Sequence, residues 1–266
     1  MNVDGKNETP YYSYTFPSKG EHTIYMLLDI TNITSLKGLF YYVENIISIS
    51  FSEIFNTTNI IDMSEMFRES PSLTSISFSK SFHTENVKNM NYMFYKCESL
   101  TSINISIFQN VETTSFMFSR CSSLSSLNIY PFDAKNLKDM SFMFSYSLYK
   151  MKSINLSKLN LEKVEDMSFL FQGSSGLISI DLSNLNTKNL KDMNGMFQFC
   201  HKLEYVNLTN FNTQNVIDMQ SLFDMCSNLT SINFSGFNLE KVTTFSNMFY
   251  GCYSLLLIFQ ILKLII

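Results

Sequence analysis

The most reactive side chains in this chain are five cysteines, Cys97, Cys121, Cys200, Cys226 and Cys252, and three histidines, His22, His83 and His201. A thiolate nucleophile needs a base within hydrogen-bond reach and a third group that orients the base. Only Cys200 and His201 are neighbours, adjacent side chains point apart in most local structures, and no Asp or Asn is spaced to hold the ring. Structural zinc needs paired ligands such as Cys-x-x-Cys, which never occur here. Glycine-rich phosphate loops, paired His ligands and calcium loops are also missing from the sequence. No catalytic residue, metal site or cofactor is expected, and the chain is not read as an enzyme. Each cysteine stands three residues after a recurring Phe, where other repeats carry Ser70, Ser147 and Ser174. This implies a column of small buried thiols. Stacked Cys200, Cys226 and Cys252 could approach bridging distance in an oxidising space, but the odd count and the serines argue that no bridge is required.

A second chemistry is available to residues that alternate with buried ones. Asn104, Asn128, Asn155, Asp181, Asn207 and Asn233 recur at one phase, with Ser102, Ser126, Ser153, Ser179, Tyr205 and Ser231 two residues earlier. Stacked in parallel, these would form two polar ladders on a single sheet face. Amides and hydroxyls in such an array suit a carbohydrate or an extended protein segment; the plainer alternative is a solvated surface made uniform by duplication. Eight Asn-x-Ser/Thr sequons occur, and glycans on Asn104, Asn155, Asn207 and Asn233 would crowd this face.

The elements that must hold these residues are set by a period. Phe40, Phe67, Phe94, Phe118, Phe144, Phe171, Phe197, Phe223 and Phe249 are spaced by 27, 27, 24, 26, 27, 26, 26 and 26 residues. Such a period makes a stack of supersecondary units. An aliphatic residue stands seven before each anchor, from Ile33 to Val242, and methionines recur four before and one before. Apolar offsets of 0, 3, 6, 7 and 10 predict a short helix or 3₁₀ turn, with Asp62, Asp139, Asp166, Asp192 and Asp218 capping its first turn. The pattern then changes to period two in Leu100-x-x-Ile103-x-Ile105, Leu177-x-x-Ile180-x-Leu182, Leu203-x-x-Val206-x-Leu208 and Leu229-x-x-Ile232-x-Phe234, which predicts short parallel strands at about 4.8 Å per rung and a rod about 40 Å long. Asn32, Asn59, Asn86, Asn110, Asn136, Asn189 and Asn215 precede the aliphatic position and are expected to satisfy turn backbone of neighbouring rungs.

The run Lys191-Asp192-Met193-Asn194-Gly195-Met196-Phe197, continued through Cys200, Leu203, Val206-Asn207-Leu208, Phe211-Asn212-Thr213 and Asn215-Val216, resembles the 26-residue repeat of BspA-type leucine-rich-repeat surface proteins. The resemblance covers the chain from about Asn32 onward. It implies an α/β leucine-rich-repeat-like right-handed solenoid, with a parallel β-sheet on one face and short helical or 3₁₀ turns on the other. It also implies a cell-surface location and adhesion through a protein or glycan partner bound on a concave sheet, and no catalysis. The repeat around Phe118 departs, with Thr113 and Thr114 in place of Asp-Met and a corner two residues short; the repeat after Phe144 carries an extra residue at Lys150.

A net charge of −4 excludes a strongly basic nucleic-acid footprint, so no nucleic-acid partner is expected. Residues 1–31 do not keep the phase, and Thr23 to Leu28 has strand character, so this segment is expected to cap a nine-rung stack over residues 32–266. The first residues show no apolar secretion segment, and that leaves an intracellular scaffold as the competing class. The last rung is atypical: Ser254 to Ile266 is apolar at outward positions too, shorter than a bilayer span, and suited to a sticky strand or to membrane association.

Overall fold

The computed structural model describes residues 2–3, 6–7, 20–26, 28–104, 110–128, 134–157 and 159–255. Three short strands near the start form an antiparallel sheet of order β2-β1-β3, with β1 at Asn2–Val3, β2 at Lys6–Asn7 and β3 at Ile24–Tyr25. The nine anchors then define nine rungs, numbered here from Phe40 to Phe249. Their rings lie nearly parallel, with centroids 5.3 to 5.8 Å apart along the column. The anchors from Phe67 to Phe223 are buried, as are the methionines four and one before them. Like side chains therefore stack on like, as the period requires.

The strand face carries β4 (Ser48–Ser50), β5 (Ser75–Ser77), β6 (Ser102–Asn104), β7 (Ser126–Asn128), β8 (Ser179–Asp181), β9 (Tyr205–Asn207) and β10 (Ser231–Asn233). All pair in parallel and in register, Ile180 beside Val206 beside Ile232. The ladder is not continuous, contrary to expectation. It falls into β4-β5, β6-β7 and β8-β9-β10. Ser153, Ile154 and Asn155 form no strand, because the extra residue at Lys150 shifts the entry to that rung; Ile154 nevertheless stays buried between exposed neighbours. The shortened corner before Val111 and the core positions Ile105 and Phe108 lie largely outside the described residues, as does the apolar segment from Leu256 onward.

The opposite face corrects the helical expectation. Among the described residues there is no helix. The segment from Met63 to Ser70 is a chain of β-turns: Met66 N–H donates to Met63 C=O at 3.4 Å and Arg68 N–H to Glu65 C=O at 3.0 Å. Glu65 and Glu69 take the left-handed region at φ 58°. Consecutive turns reproduce the three-residue apolar spacing that a helix would also give. The intervening amides cross to the next rung. Met63, Glu65, Phe67 and Glu69 N–H donate to Asn89, Asn91, Met93 and Tyr95 C=O at 2.9, 2.8, 2.9 and 2.7 Å, and four equivalent bonds recur at every junction. A helix would spend those amides internally, and its diameter of about 10 Å would not fit a rung spacing near 5 Å. The carboxylates cap a turn instead: Asp62, Asp139, Asp166, Asp192 and Asp218 Oδ1 each accept from the amide two residues on, at 2.7 to 2.9 Å.

A run of parallel bridges from Ser35 through Asp62, Asn89, Thr113, Asp139, Asp166, Asp192 and Asp218 to Thr244 joins all nine rungs without a break. This ladder, rather than the strand face, is the spine. It sets four carboxylates in succession. Burial, followed by the charges of Asp166 and Asp218, raises the Asp192 carboxyl above the ordinary carboxylate range, against the pull of the Asn194 amide. The folded state then holds this proton more tightly than the unfolded chain, so the contribution of Asp192 is most favourable below about pH 3.9 and declines as pH rises through the higher folded value. Asp192→Asn is expected to gain stability over the native chain from pH 4 upward and to lose that advantage in acid, a difference readable from urea titrations at several pH values.

Candidate functional site

The cysteine column is structural. Cys97 Sγ–H donates to Phe67 C=O at 3.1 Å, Cys121 to Phe94 at 3.1 Å, Cys200 to Phe171 at 3.1 Å, Cys226 to Phe197 at 3.0 Å and Cys252 to Phe223 at 3.0 Å. Ser70 and Ser174 hydroxyls serve Phe40 and Phe144 at 3.0 and 2.7 Å, and Ser147 serves Phe118. The position needs a small donor for the anchor carbonyl of the rung before, and either residue supplies one. All five thiols are free, and burial pushes Cys97 and Cys200 up to about 12, which leaves them without thiolate at neutral pH. Cys200→Ser should leave stability nearly unchanged, whereas Cys200→Val leaves the Phe171 carbonyl only the Ser174 amide at 3.0 Å and should cost about 0.5–1.5 kcal/mol in a urea titration.

His201 does not meet Cys200. Its ring lies outside with Nδ1 2.9 Å from Met225 C=O, while the Cys200 thiol lies inside. His83 Nδ1 is 3.1 Å from a Glu85 carboxylate. Among the described residues no group of His, Cys, Asp or Glu is placed to hold a metal ion.

The corner asparagines act between rungs. Asn59, Asn86, Asn110, Asn189 and Asn215 Nδ2–H donate to carbonyls of the preceding rung at 2.6 to 3.3 Å. Where Lys163 and Lys241 replace the amide, their ammonium groups donate to Asn136 and Asn215 Oδ1. Beside them Lys88, Glu112, Lys138, Glu165 and Lys191 alternate in sign down one column, with Lys138 2.8 Å from Glu112 and Lys191 2.6 Å from Glu165. Exposed pairs of this kind contribute little to stability. Their larger effect is to penalise a slipped register.

The polar strand face lies where the alternation put it. Ser102 and Asn104 are exposed on β6, and Ser126 is exposed on β7, whose last residue is Asn128. Ser153 and Asn155 are exposed but lie outside any strand. Ser179 is half-buried and Asp181 exposed on β8; Tyr205 is exposed and Asn207 half-buried on β9; Ser231 is exposed and Asn233 half-buried on β10. These last six form the one three-stranded patch among the described repeats. Between β5 and β6, Asn104 borders a cavity of about 300 Å³ floored by Ile76, Phe78, Phe82, Met90 and Met93.

Half of the amide chemistry is already used. Asn155 Oδ1 accepts from Ser157 N–H at 3.0 Å, Asn207 from Thr209 N–H and Oγ1–H at 3.1 and 2.7 Å, and Asn233 from Ser235 N–H and Oγ–H at 3.0 and 2.6 Å. Asp181 accepts from Ser183 N–H at 2.9 Å, and the Ser183 hydroxyl and amide hold its carboxyl below the ordinary range. Each Asx residue shapes its own turn, and the Asn207 side chain also hydrogen-bonds the Asp181 carboxylate. The signal for this was the small hydroxyl two residues on, in Asn207-Leu208-Thr209 and Asn233-Phe234-Ser235.

A family model described as Mycoplasma protein of unknown function, DUF285, matches residues 34–155 and again 146–257. No curated protein matches the chain by sequence. Among solved structures, a T. pallidum leucine-rich repeat protein is 16% identical over 86% of this chain and 74% of its own, with a TM-score of 0.32. One from Eubacterium ventriosum is 17% identical over 83% and 81%, with a TM-score of 0.38. A leucine-rich cell surface protein from Faecalibacterium prausnitzii is 15% identical over 75% and 62%, with a TM-score of 0.30.

Proposed function

This chain belongs to the family described as Mycoplasma protein of unknown function, DUF285, its repeat is of the BspA leucine-rich-repeat kind, and we propose that it is a non-enzymatic binding protein whose strand face holds a partner protein or a glycan. The carrying observation is the patch on β8, β9 and β10, where Tyr205 stands exposed between Ser179 and Ser231 and above the Asp181, Asn207 and Asn233 row. An exposed aromatic with a hydroxyl, beside the Asn233 amide whose oxygen is tied into a turn, suits a ligand rich in carbonyl or hydroxyl acceptors. Because the turn side is hydrogen-bonded rung to rung and holds no helix among the described residues, the patch is expected to be flat rather than concave. The coil is taken as right-handed, as parallel crossovers are, with residues 1–31 as a cap and residues 32–266 as the stack.

The test is binding to immobilised glycan and host-matrix protein panels, with Tyr205→Ala as the variant, since Tyr205 supports no turn. Loss of at least about tenfold in affinity with an unchanged melting transition supports the patch. Equal binding by the variant rejects it. The second class, an intracellular scaffold, draws on the five unbridged thiols. Fractionation with thiol labelling separates the two: surface exposure of the chain supports adhesion, and a soluble internal pool supports the scaffold. Among the described residues no helix is long and apolar enough to cross a membrane, and association through the apolar segment from Ser254 belongs to the same test.

A further inference from the structure

The turn side gives the stack a direction. At the last junction Met219, Ser221, Phe223 and Met225 N–H donate to Thr244, Ser246, Met248 and Tyr250 C=O at 3.2, 2.8, 2.9 and 2.6 Å. At the first, Leu36, Gly38, Phe40 and Tyr42 N–H donate to Asp62, Ser64, Met66 and Arg68 C=O at 2.8, 3.0, 2.8 and 2.8 Å. Every such bond runs from one rung to the rung after it. Ordinary sheets alternate the direction of their peptides and cancel; here four peptides per rung align. Rung 9 therefore presents Phe245, Asn247, Phe249 and Gly251 N–H as an outward row of donors, and rung 1 presents Ser35, Lys37, Leu39 and Tyr41 C=O as an outward row of acceptors. Neither row has a backbone partner among the described residues.

Side chains at the two ends match in the same register. Asn32 occupies the position from which Asn59 and Asn86 donate to the preceding rung. Gly38, at φ 65°, has open space over it apart from the Cβ of Tyr41 at 3.6 Å, whereas at the equivalent Gly195 the ring of Phe169 from the preceding rung fills that space. Tyr250 and Tyr41 share a column and are 64% and 47% exposed.

We propose that this chain stacks head to tail with a second copy, the donor row of rung 9 in one copy seated on the acceptor row of rung 1 in the other. Tail-to-tail pairing would oppose donors to donors. The contact follows the turn-side edge alone and leaves the apolar core of rung 1, where Leu36 and Phe40 are already buried within the chain, to the cap proposed for residues 1–31. Val43 stands where Ser70 and Cys97 supply a donor, so the Phe249 carbonyl lacks its usual partner and the junction is weaker than internal ones. Such an interface is heterologous and yields open rods.

Sedimentation velocity of the 266-residue chain across the micromolar range should show mass rising in whole-chain steps. Phe245→Pro removes one N–H of the donor row, Tyr250→Lys places a charge at the same end, and Tyr41→Lys does so at the other. Each variant alone should be monomeric where the unaltered chain assembles, with an unchanged circular dichroism melt. A mixture of Tyr250→Lys and Tyr41→Lys chains retains one intact junction, and should form dimers and stop there. A monomeric native chain at all concentrations, as when residues of the same chain cover the rung 9 edge, overturns the proposal. So does self-association that survives in the variants, or dimers formed by the Tyr41→Lys chain alone, which would place the contact tail to tail.

Discussion

Phe171→Ala is expected to lower the unfolding free energy by about 3–5 kcal/mol, the cost of emptying a large buried aromatic site. Phe171 has no exposed surface, and its ring lies 5.8 Å from Phe144 and 5.6 Å from Phe197. The gap cannot be closed by a local shift, because the backbone on either side is pinned by ladders to both neighbours. Stability of a stacked array is a sum of rung terms and nearest-neighbour terms. Removing the middle ring weakens two junctions at once, so the variant should also unfold in a broader urea transition. Phe249→Ala, with a ring on one side only, should cost less.

Gly195→Ala should cost about 2–4 kcal/mol, from a left-handed residue that gains a Cβ and from crowding against a packed ring. Gly195 has φ 58°, and an added Cβ would lie 2.3 Å from the Phe169 ring. That ring ends a column of Tyr92, Phe116, Phe142 and Phe169, with centroids 4.3 to 4.6 Å apart. Arg68 covers the other end, its guanidinium 5.1 Å from the Tyr92 ring. Crowding at Gly195 therefore pushes on a stack that is closed at both ends. In Phe169→Ala the extra Cβ meets no ring, so the double variant should lose less than the sum of the two single changes, and a double-mutant cycle from urea titrations measures the difference.

The inward half of the repeat was legible in the residues. Anchor phenylalanines, methionines, the Cys or Ser position and the corner asparagines recur at fixed phase, and each forms a column because stacking multiplies a single local environment. The turn face was misread because consecutive β-turns and a helix share a three-residue apolar spacing. A clue stood in the glycines: Gly38 and Gly195 lie two before their anchors, and Gly173 and Gly251 two after, all at positive φ. Glu65, Glu69, Tyr92, Lys96 and Phe116 at the same phases hid it, since the cross-rung bonds hold these side chains in a region they rarely adopt. On the strand face, period two gave the correct outward set. It carried no information about pairing, so the loss of a strand at Ser153 to Asn155 went unforeseen. Nor did alternation reveal that the Asn207 and Asn233 oxygens would be engaged by their own turns.

The distribution of thiols along the stack makes the molecule its own unfolding clock. Cys97 and Cys121 mark rungs 3 and 4, Cys200, Cys226 and Cys252 mark rungs 7 to 9, and rungs 5 and 6 carry serine. Each sulfur is protected only while the rung in front of it stays seated. Under a gentle alkylating pulse, modification should begin at Cys252, the least covered, and proceed inward through Cys226 to Cys200. The order in which masses appear would show from which end the array frays and how many units leave together.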